Sequence, residues 1–347
     1  MIPAVLSATD EIRAHLFEHG WAVTRVVDES TAFQLRDKLL ADIAGIGDSE
    51  FIPRTLGGMI KTHKLGMSRT AHELRKLARP VFYNILQGET DAFLTFPPPT
   101  TEDELSCNPD ALFVSTGEPA RFPVGVELPD PNMWWHVDTE VHAGFLQGSF
   151  VLDNPEGSEQ FSVLDGSHRH FDLLDISDPG SDFHLLSKSD FARMNFCPVV
   201  NLRIPAGCLV VWYSATVHTV KPPDPDVYHA PRVQTYICFG TTAHLDEIVV
   251  SRMKLVKTLA VLLGGSCRHH PYPCEVTWQQ GYEGMRRDFV PPEELPACIF
   301  GSSPSDFTDD DLSVYGLTHQ DVLDGVEYWT HNWKRKMDVW TRWISRL

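Results

Sequence analysis

No run of about 18 apolar residues interrupts this 347-residue chain, so no membrane-spanning helix is expected. Positive charge is scarce. Against 47 Asp and Glu stand only 29 Lys and Arg, a formal net charge of −18. That balance argues against a nucleic acid or an anionic membrane as partner, since both need a positive field. The opening stretch MIPAVLSATDEIRAH has neither a basic leader nor a long apolar segment, and is not expected to be a secretory signal. The seven cysteines are odd in number and scattered from Cys107 to Cys298, which does not suit a disulfide framework. Reduced thiols and a cytoplasmic protein are the expectation. There is no internal repeat and no low-complexity linker.

What is present is core-forming material, 42% hydrophobic and 10% aromatic residues. The simplest organisation is one domain over 1–347. A helical N-terminal flank fills 1–92, a β-rich core 132–240 and a helical flank 241–347. Residues 7–19 read as a helix capped by Ser7 or Thr9 and stopped by Gly20. The strand WAVTRVV and a second helix, DESTAFQLRDKLLADIAGIG, follow. Between 53 and 79, Arg54, Lys61, Lys64, Arg69, Arg75, Lys76 and Arg79 face only Glu73, a local excess of +6. This is either a solvated helix face beside a loop or a patch that receives an anionic substrate. From 93 to 130 the chain is rich in Pro and turn residues and reads as a long surface excursion. In the tail, Trp329, Trp333, Trp340 and Trp343 are spaced 4, 7 and 3 apart, one face of a helix docked onto the body.

Between 132 and 240 lie six short β-rich runs: NMWWHVDT, GFLQGSFVLD, EQFSVLD, PVVNLRI, CLVVWYSA and RVQTYICFG. Turn residues separate them, the pattern of a sandwich or barrel. The first run poses a question. His136 and Asp138 are two residues apart and so share one face of an otherwise apolar strand. Alone, the pair is compatible with a structural His–Asp contact. A second segment, PAGCLVVWYSATVH, ends in His218, and fourteen residues further on Arg232 opens another strand. Two imidazoles and one carboxylate occupy one face of an iron atom and leave three positions open. A 2-oxo acid can fill two of these and dioxygen the third. The far carboxylate of 2-oxoglutarate needs a cation, and a guanidinium binds it through two parallel hydrogen bonds.

The order and spacing of WWHVDT, GFLQGSFVLDN, SVLDGSHRHFD, IPAGCLVVWYSATVH and PRVQTYICFG resemble the phytanoyl-CoA dioxygenase family of Fe(II)/2-oxoglutarate-dependent oxygenases. The resemblance spans about 132–240. It implies a mainly β fold with flanking helices, a double-stranded β-helix of the cupin jelly-roll type with iron at one mouth. It implies His136, Asp138 and His218 as iron ligands and as the catalytic set, with Arg232 as anchor of the cosubstrate 2-oxoglutarate and O2 as oxidant. The activity implied is hydroxylation of a small-molecule substrate, with release of succinate and CO2. Asp138 argues against halogenation, since a halide would need the carboxylate's coordination position. Cys208 stands where the family often has Asp, a structural position.

Other residues invite weighing. Gln147 could touch cosubstrate or substrate, or be an ordinary strand glutamine. His168 falls in the Gly-Ser-His turn and reads as structural. His142 would share the face of His136 only if the strand ran on. Cys267, His269, His270 and Cys274 resemble half of a zinc site, with no second pair. Ser345-Arg346-Leu347 resembles a peroxisomal address. Two rival readings come from other classes: a zinc-dependent hydrolase or isomerase on a cupin-like scaffold, and a catalytically silent binding protein. The first has no use for Arg232, and the second has no need to keep all four residues.

Overall fold

The computed structural model describes residues 1–44, 59–62, 68–87, 93–94, 96–110, 112–115, 133–138, 145–153, 161–176, 183–220, 232–263 and 308–328. In chain order the strands are β1 (Trp21–Arg25), β2 (Met59–Thr62), β3 (Leu105–Cys107), β4 (Leu112–Ser115), β5 (His136–Asp138) and β6 (Leu146–Phe150). They continue with β7 (Phe161–Leu164), β8 (Phe183–Leu185), β9 (Val199–Leu202), β10 (Cys208–Tyr213), β11 (His218–Thr219) and β12 (Arg232–Thr241). The helices are α1 (Thr9–His19), α2 (Glu29–Ala44), α3 (Arg69–Leu86), α4 (Lys188–Arg193), α5 (Glu247–Leu263) and α6 (Asp309–Ser313). A further helix covers 319–328.

Among the described residues the strands form two antiparallel sheets. The larger runs β1-β10-β6-β12-β4-β2, with β3 also on β12, and the smaller runs β8-β5-β11-β7-β9. From β4 to β12 the chain passes back and forth between the sheets, and within each sheet the neighbours are strands far apart in sequence. That winding is the double-stranded β-helix, and it closes strand edges that would otherwise invite pairing.

Strand β10 shows why these residues form these elements. Leu209, Val211 and Tyr213 pack outward under the helices, while Cys208, Val210 and Trp212 pack inward between the sheets. A strand buried on both faces reads as a continuous apolar run, which CLVVWY is. Helix α3 lies across the outer face of the larger sheet. Its N-cap Ser68 accepts a hydrogen bond from the Ala71 amide at 3.2 Å, satisfying one orphan donor of the first turn. Ala71, Leu74, Ala78, Phe82 and Ile85 are its buried stripe. Phe82 can come so close to the sheet because residue 148 is glycine: a Cβ there would sit 3.1 Å from the Phe82 ring. Each fully buried Leu or Phe of this layer contributes about 1.5–3 kcal/mol.

Three sequence readings need revision. Helix α1 begins at Thr9, but its N-cap is Ala8, with no side-chain cap from Ser7 or Thr9; the stop at Gly20 (φ 85°) holds. The Pro-rich stretch 93–130 is not simply a surface excursion, since β3 and β4 lie in it and Leu105 and Cys107 are fully buried. Their partner β12 recruits them, which local composition does not reveal. In the basic island, three cations hold the fold together. Arg75 donates to the Tyr315 hydroxyl and the Asp110 carbonyl, Arg79 to Ser313 and the Leu105 carbonyl, and Lys76 pairs with Asp310. The Trp-bearing tail, Arg54 and Lys64 lie outside the described residues.

Candidate active site

Register brings the predicted residues together. β11 pairs with β5 so that His218 sits opposite His136. The two rings are 4.2 Å apart between centres and tilted by 52°. Each Nδ1 lies against the carbonyl two residues back on its own chain: His136 on Trp134 at 3.0 Å, His218 on Thr216 at 2.9 Å. A carbonyl can only accept, so each Nδ1 carries a proton, and in the neutral ring each Nε2 keeps its lone pair. This is the tautomer a metal-binding imidazole needs, fixed in advance by the outer hydrogen bond. Asp138, one strand period from His136, places Oδ2 4.0 Å from His218 Nε2. All three side chains are buried, at 6%, 2% and 4% exposure for His136, Asp138 and His218. By strand alternation Trp135 and Val137 point the other way, into the apolar layer beneath the smaller sheet.

The donors are in place but not closed around a point. Among the described residues no three His, Cys, Asp or Glu side chains form a ready metal cage. Bonds of about 2.1 Å would put adjacent donors of one ion roughly 3 Å apart. The 4.0 Å between Asp138 and His218 is about one ångström wider. Closing that distance would require the side chains to turn about their torsions. The donor set fits a divalent transition metal in chemical type and tautomer, and lies on one face.

Aromatic rings wall the cluster. Trp134 stacks flat on His136, Phe183 meets both edge-on, and Phe161 and Trp212 close over His218. Gln147, on β6, is the register partner of Trp212 on one side and Cys238 on the other, and is 4% exposed. The Gln147 Oε1 and the Trp212 Nε1–H are both buried with no hydrogen-bond partner among the described residues. An unsatisfied acceptor and an unsatisfied donor thus sit on paired residues of one buried face, at some cost to the fold.

Arg232, 1% exposed, opens β12. It lines a cleft between the sheets together with Ser149, Asp153, Phe161, Val210 and Val220. The cleft is narrow, with room for about one water. Tyr236, one strand turn from Arg232, packs beside Trp212. Burial pushes its phenol well above the ordinary range; Arg232 opposes that, while Asp110 and Asp138 add to it. Burial likewise raises the Cys238 thiol, again with Asp110 and Asp138 contributing. Arg232, Tyr236 and Asp138 thus share one electrostatic environment. Sequence reading missed Trp134, Tyr236, Ser149 and Asp153. Period two along β6 and β12 was the available signal, since 147, 149 and 153 share parity, as do 232 and 236.

His168 is structural: buried, with Nε2 on the Phe17 carbonyl at 3.1 Å and its ring against Phe93 and Tyr213. The described cysteines, Cys107, Cys197, Cys208 and Cys238, are free thiols and buried. His142, Cys267, His269, His270, Cys274 and Ser345–Leu347 lie outside the described residues.

No family model matches the sequence, and no curated protein matches it. Solved structures of similar trace exist. The epimerase SnoN, in complex with Fe3+, alpha ketoglutarate and nogalamycin RO, is 14% identical and superposes with a TM-score of 0.47 over 67% of this chain and 84% of its own. EctD from S. alaskensis, with 2-oxoglutarate and 5-hydroxyectoine, is 13% identical, with a TM-score of 0.44 over 69% and 77%. EvdO2 from Micromonospora carbonacea var. aurantiaca, complexed with 2-oxoglutarate, is 17% identical, with a TM-score of 0.37 over 71% and 98%. Likenesses this distant say nothing of which residues act here, or on what. No described helix is long and apolar enough to cross a membrane.

Proposed function

We propose that this chain is an Fe(II)/2-oxoglutarate-dependent dioxygenase that hydroxylates a small molecule, as the phytanoyl-CoA dioxygenase-like motifs imply. The observation that carries the reading is the pairing of His136 with His218 across β5 and β11, both in the Nε2 lone-pair tautomer, with Asp138 on the same face. His136, Asp138 and His218 would hold the iron. Arg232 would hold the far carboxylate of the cosubstrate, and Gln147 would offer its unsatisfied amide oxygen to a bound molecule's donor. Bound iron, 2-oxoglutarate and O2 would supply the oxidising chemistry, with succinate and CO2 released. The chain's own contribution is to orient the donors, to present a cation within a low-dielectric cleft and to wall off water with Trp134, Phe161, Phe183 and Trp212.

The test is succinate formation from 2-oxoglutarate with Fe(II) over a metabolite library, run beside Fe(II) binding. Wild type should bind one Fe(II) at this site and release succinate. His136→Ala and His218→Ala should lose most iron affinity. Full iron binding and turnover in either variant would overturn the assignment. Turnover that is zinc-dependent and indifferent to 2-oxoglutarate would favour the hydrolase or isomerase instead.

A further inference from the structure

A second pair of imidazoles lies outside the central cluster, on α1. His15 and His19 are one helical turn apart, so they rise from the same face. Their rings are 4.2 Å apart between centres, and His15 also meets the edge of Trp21. His19 is held as a metal-binding histidine is held. Its Nδ1 is 2.9 Å from Asp165 Oδ2 and 3.1 Å from Oδ1, and the same carboxylate accepts from Trp21 Nε1 at 2.8 Å. With Nδ1–H donated to a carboxylate, the neutral ring has its lone pair on Nε2. Across from it, 3.8 Å away, stands Glu18 Oε2. A cation between Nε2 and this oxygen, whether a proton or a metal ion, would join the two. With bonds of about 2.1 Å, one ion spans donors roughly 3.4 Å apart when tetrahedral and more as the angle opens. His15 has no hydrogen bond to any described residue, and burial together with neighbouring His19 depresses its basicity.

We propose that His15 and His19 bind a borderline divalent transition metal, with Glu18 or water completing the shell and Asp165 as the outer carboxylate. Imidazole pairs select Zn, Ni and Cu over Mg or Ca. The three side chains do not yet converge as a formed cage, so His15 must turn about its side-chain torsions to join. Because Asp165 lies in the turn after β7, the ion would clip α1 to the smaller sheet. The site is independent of the central cluster and of the activity proposed for it.

The experiment is Zn2+ titration of the full, untagged chain by calorimetry, with melting temperature as a second readout. Wild type should bind one ion more than His15→Ala and His15→Gln, and zinc should raise the melting temperature of wild type more than of either variant. The glutamine variant keeps bulk and polarity, so a folding defect in the alanine variant does not obscure the result. Asp165→Asn should retain the ion with about tenfold weaker affinity. Identical stoichiometry in wild type and both His15 variants would overturn the proposal. His218→Ala separates this question from the central one: it should cost one ion whether or not His15 is intact. An ion lost with His218 alone would leave the central reading standing and sink this one.

Discussion

The indole of Trp134 lies flat on the imidazole of His136, 3.9 Å between ring centres and 6° from parallel. Its own carbonyl also receives the His136 Nδ1–H. One residue therefore sets both the plane and the tautomer of a candidate ligand. Only the backbone contact survives truncation, so Trp134→Ala isolates the stack. Such stacks contribute about 0.5–1.5 kcal/mol, or roughly a 2- to 10-fold loss of Mn(II) affinity at this site by calorimetry. Trp134→Phe should recover most of it. Unchanged affinity in the alanine variant would show that the stack is packing alone.

Arg232 should matter to the cosubstrate and not to the metal. Leaving a buried carboxylate without its cation costs on the order of 3–5 kcal/mol, a roughly 100-fold or greater loss of 2-oxoglutarate affinity. Arg232→Lys should restore only part, because an ammonium lacks the fork. Metal affinity should stay at the wild-type value in both. Normal 2-oxoglutarate binding in Arg232→Ala would move the anchor to another cation.

Stability should fall between pH 6.5 and 4 through His72. This imidazole bonds Tyr315 Oη at 2.9 Å and Asp311 at 3.0 Å, and burial lowers its pKa from 6.5 to about 4 despite Asp311. In that window the unfolded chain takes up a proton that the folded chain refuses, so acid favours unfolding. The loss approaches about 3 kcal/mol below pH 4, since each tenfold difference in proton affinity between the two states is worth about 1.36 kcal/mol. His15 and His244, also lowered, add in the same direction. His72→Gln should flatten the slope of denaturant midpoint against pH across this range. A slope equal to wild type would assign the effect elsewhere.

Gly207→Ala should destabilise sharply. Gly207 has φ 82° in the turn that launches β10, and an added Cβ would meet the Val27 carbonyl oxygen at 2.3 Å. The left-handed conformation alone costs an alanine about 1–2 kcal/mol. The clash is with backbone, which cannot swing aside. A melting temperature within a degree or two of wild type would refute it.

The β core was legible because its strands announce themselves locally. Runs such as CLVVWY and LQGSF are apolar or alternating and bounded by turns. That His136 and Asp138 share a face was legible from period two, while the expectation that His218 joins them rested on the order and spacing of the family motifs. The shorter strands were not. β3, β4 and β8 have three or four residues each and exist because β12 and β5 offer partners far away in sequence. The basic island misled for a related reason: the acids and carbonyls that absorb Arg75, Lys76 and Arg79 come mostly from 102–110 and 308–315. Trp134 was quoted with its motif, yet nothing in a sequence says that an indole will lie on an imidazole two residues away.

The four described cysteines are spread over the layers of the molecule: Cys107 under the helices, Cys208 and Cys238 on the inner face of the larger sheet, Cys197 beneath the smaller sheet. Burial raises the pKa of all four thiols. A thiolate-seeking reagent at neutral pH can therefore modify them only after the layer above has opened. Read peptide by peptide, their alkylation rates are a native-state clock with a separate hand for each layer. Occupying the site between the sheets should slow the hands at Cys208 and Cys238 before the others.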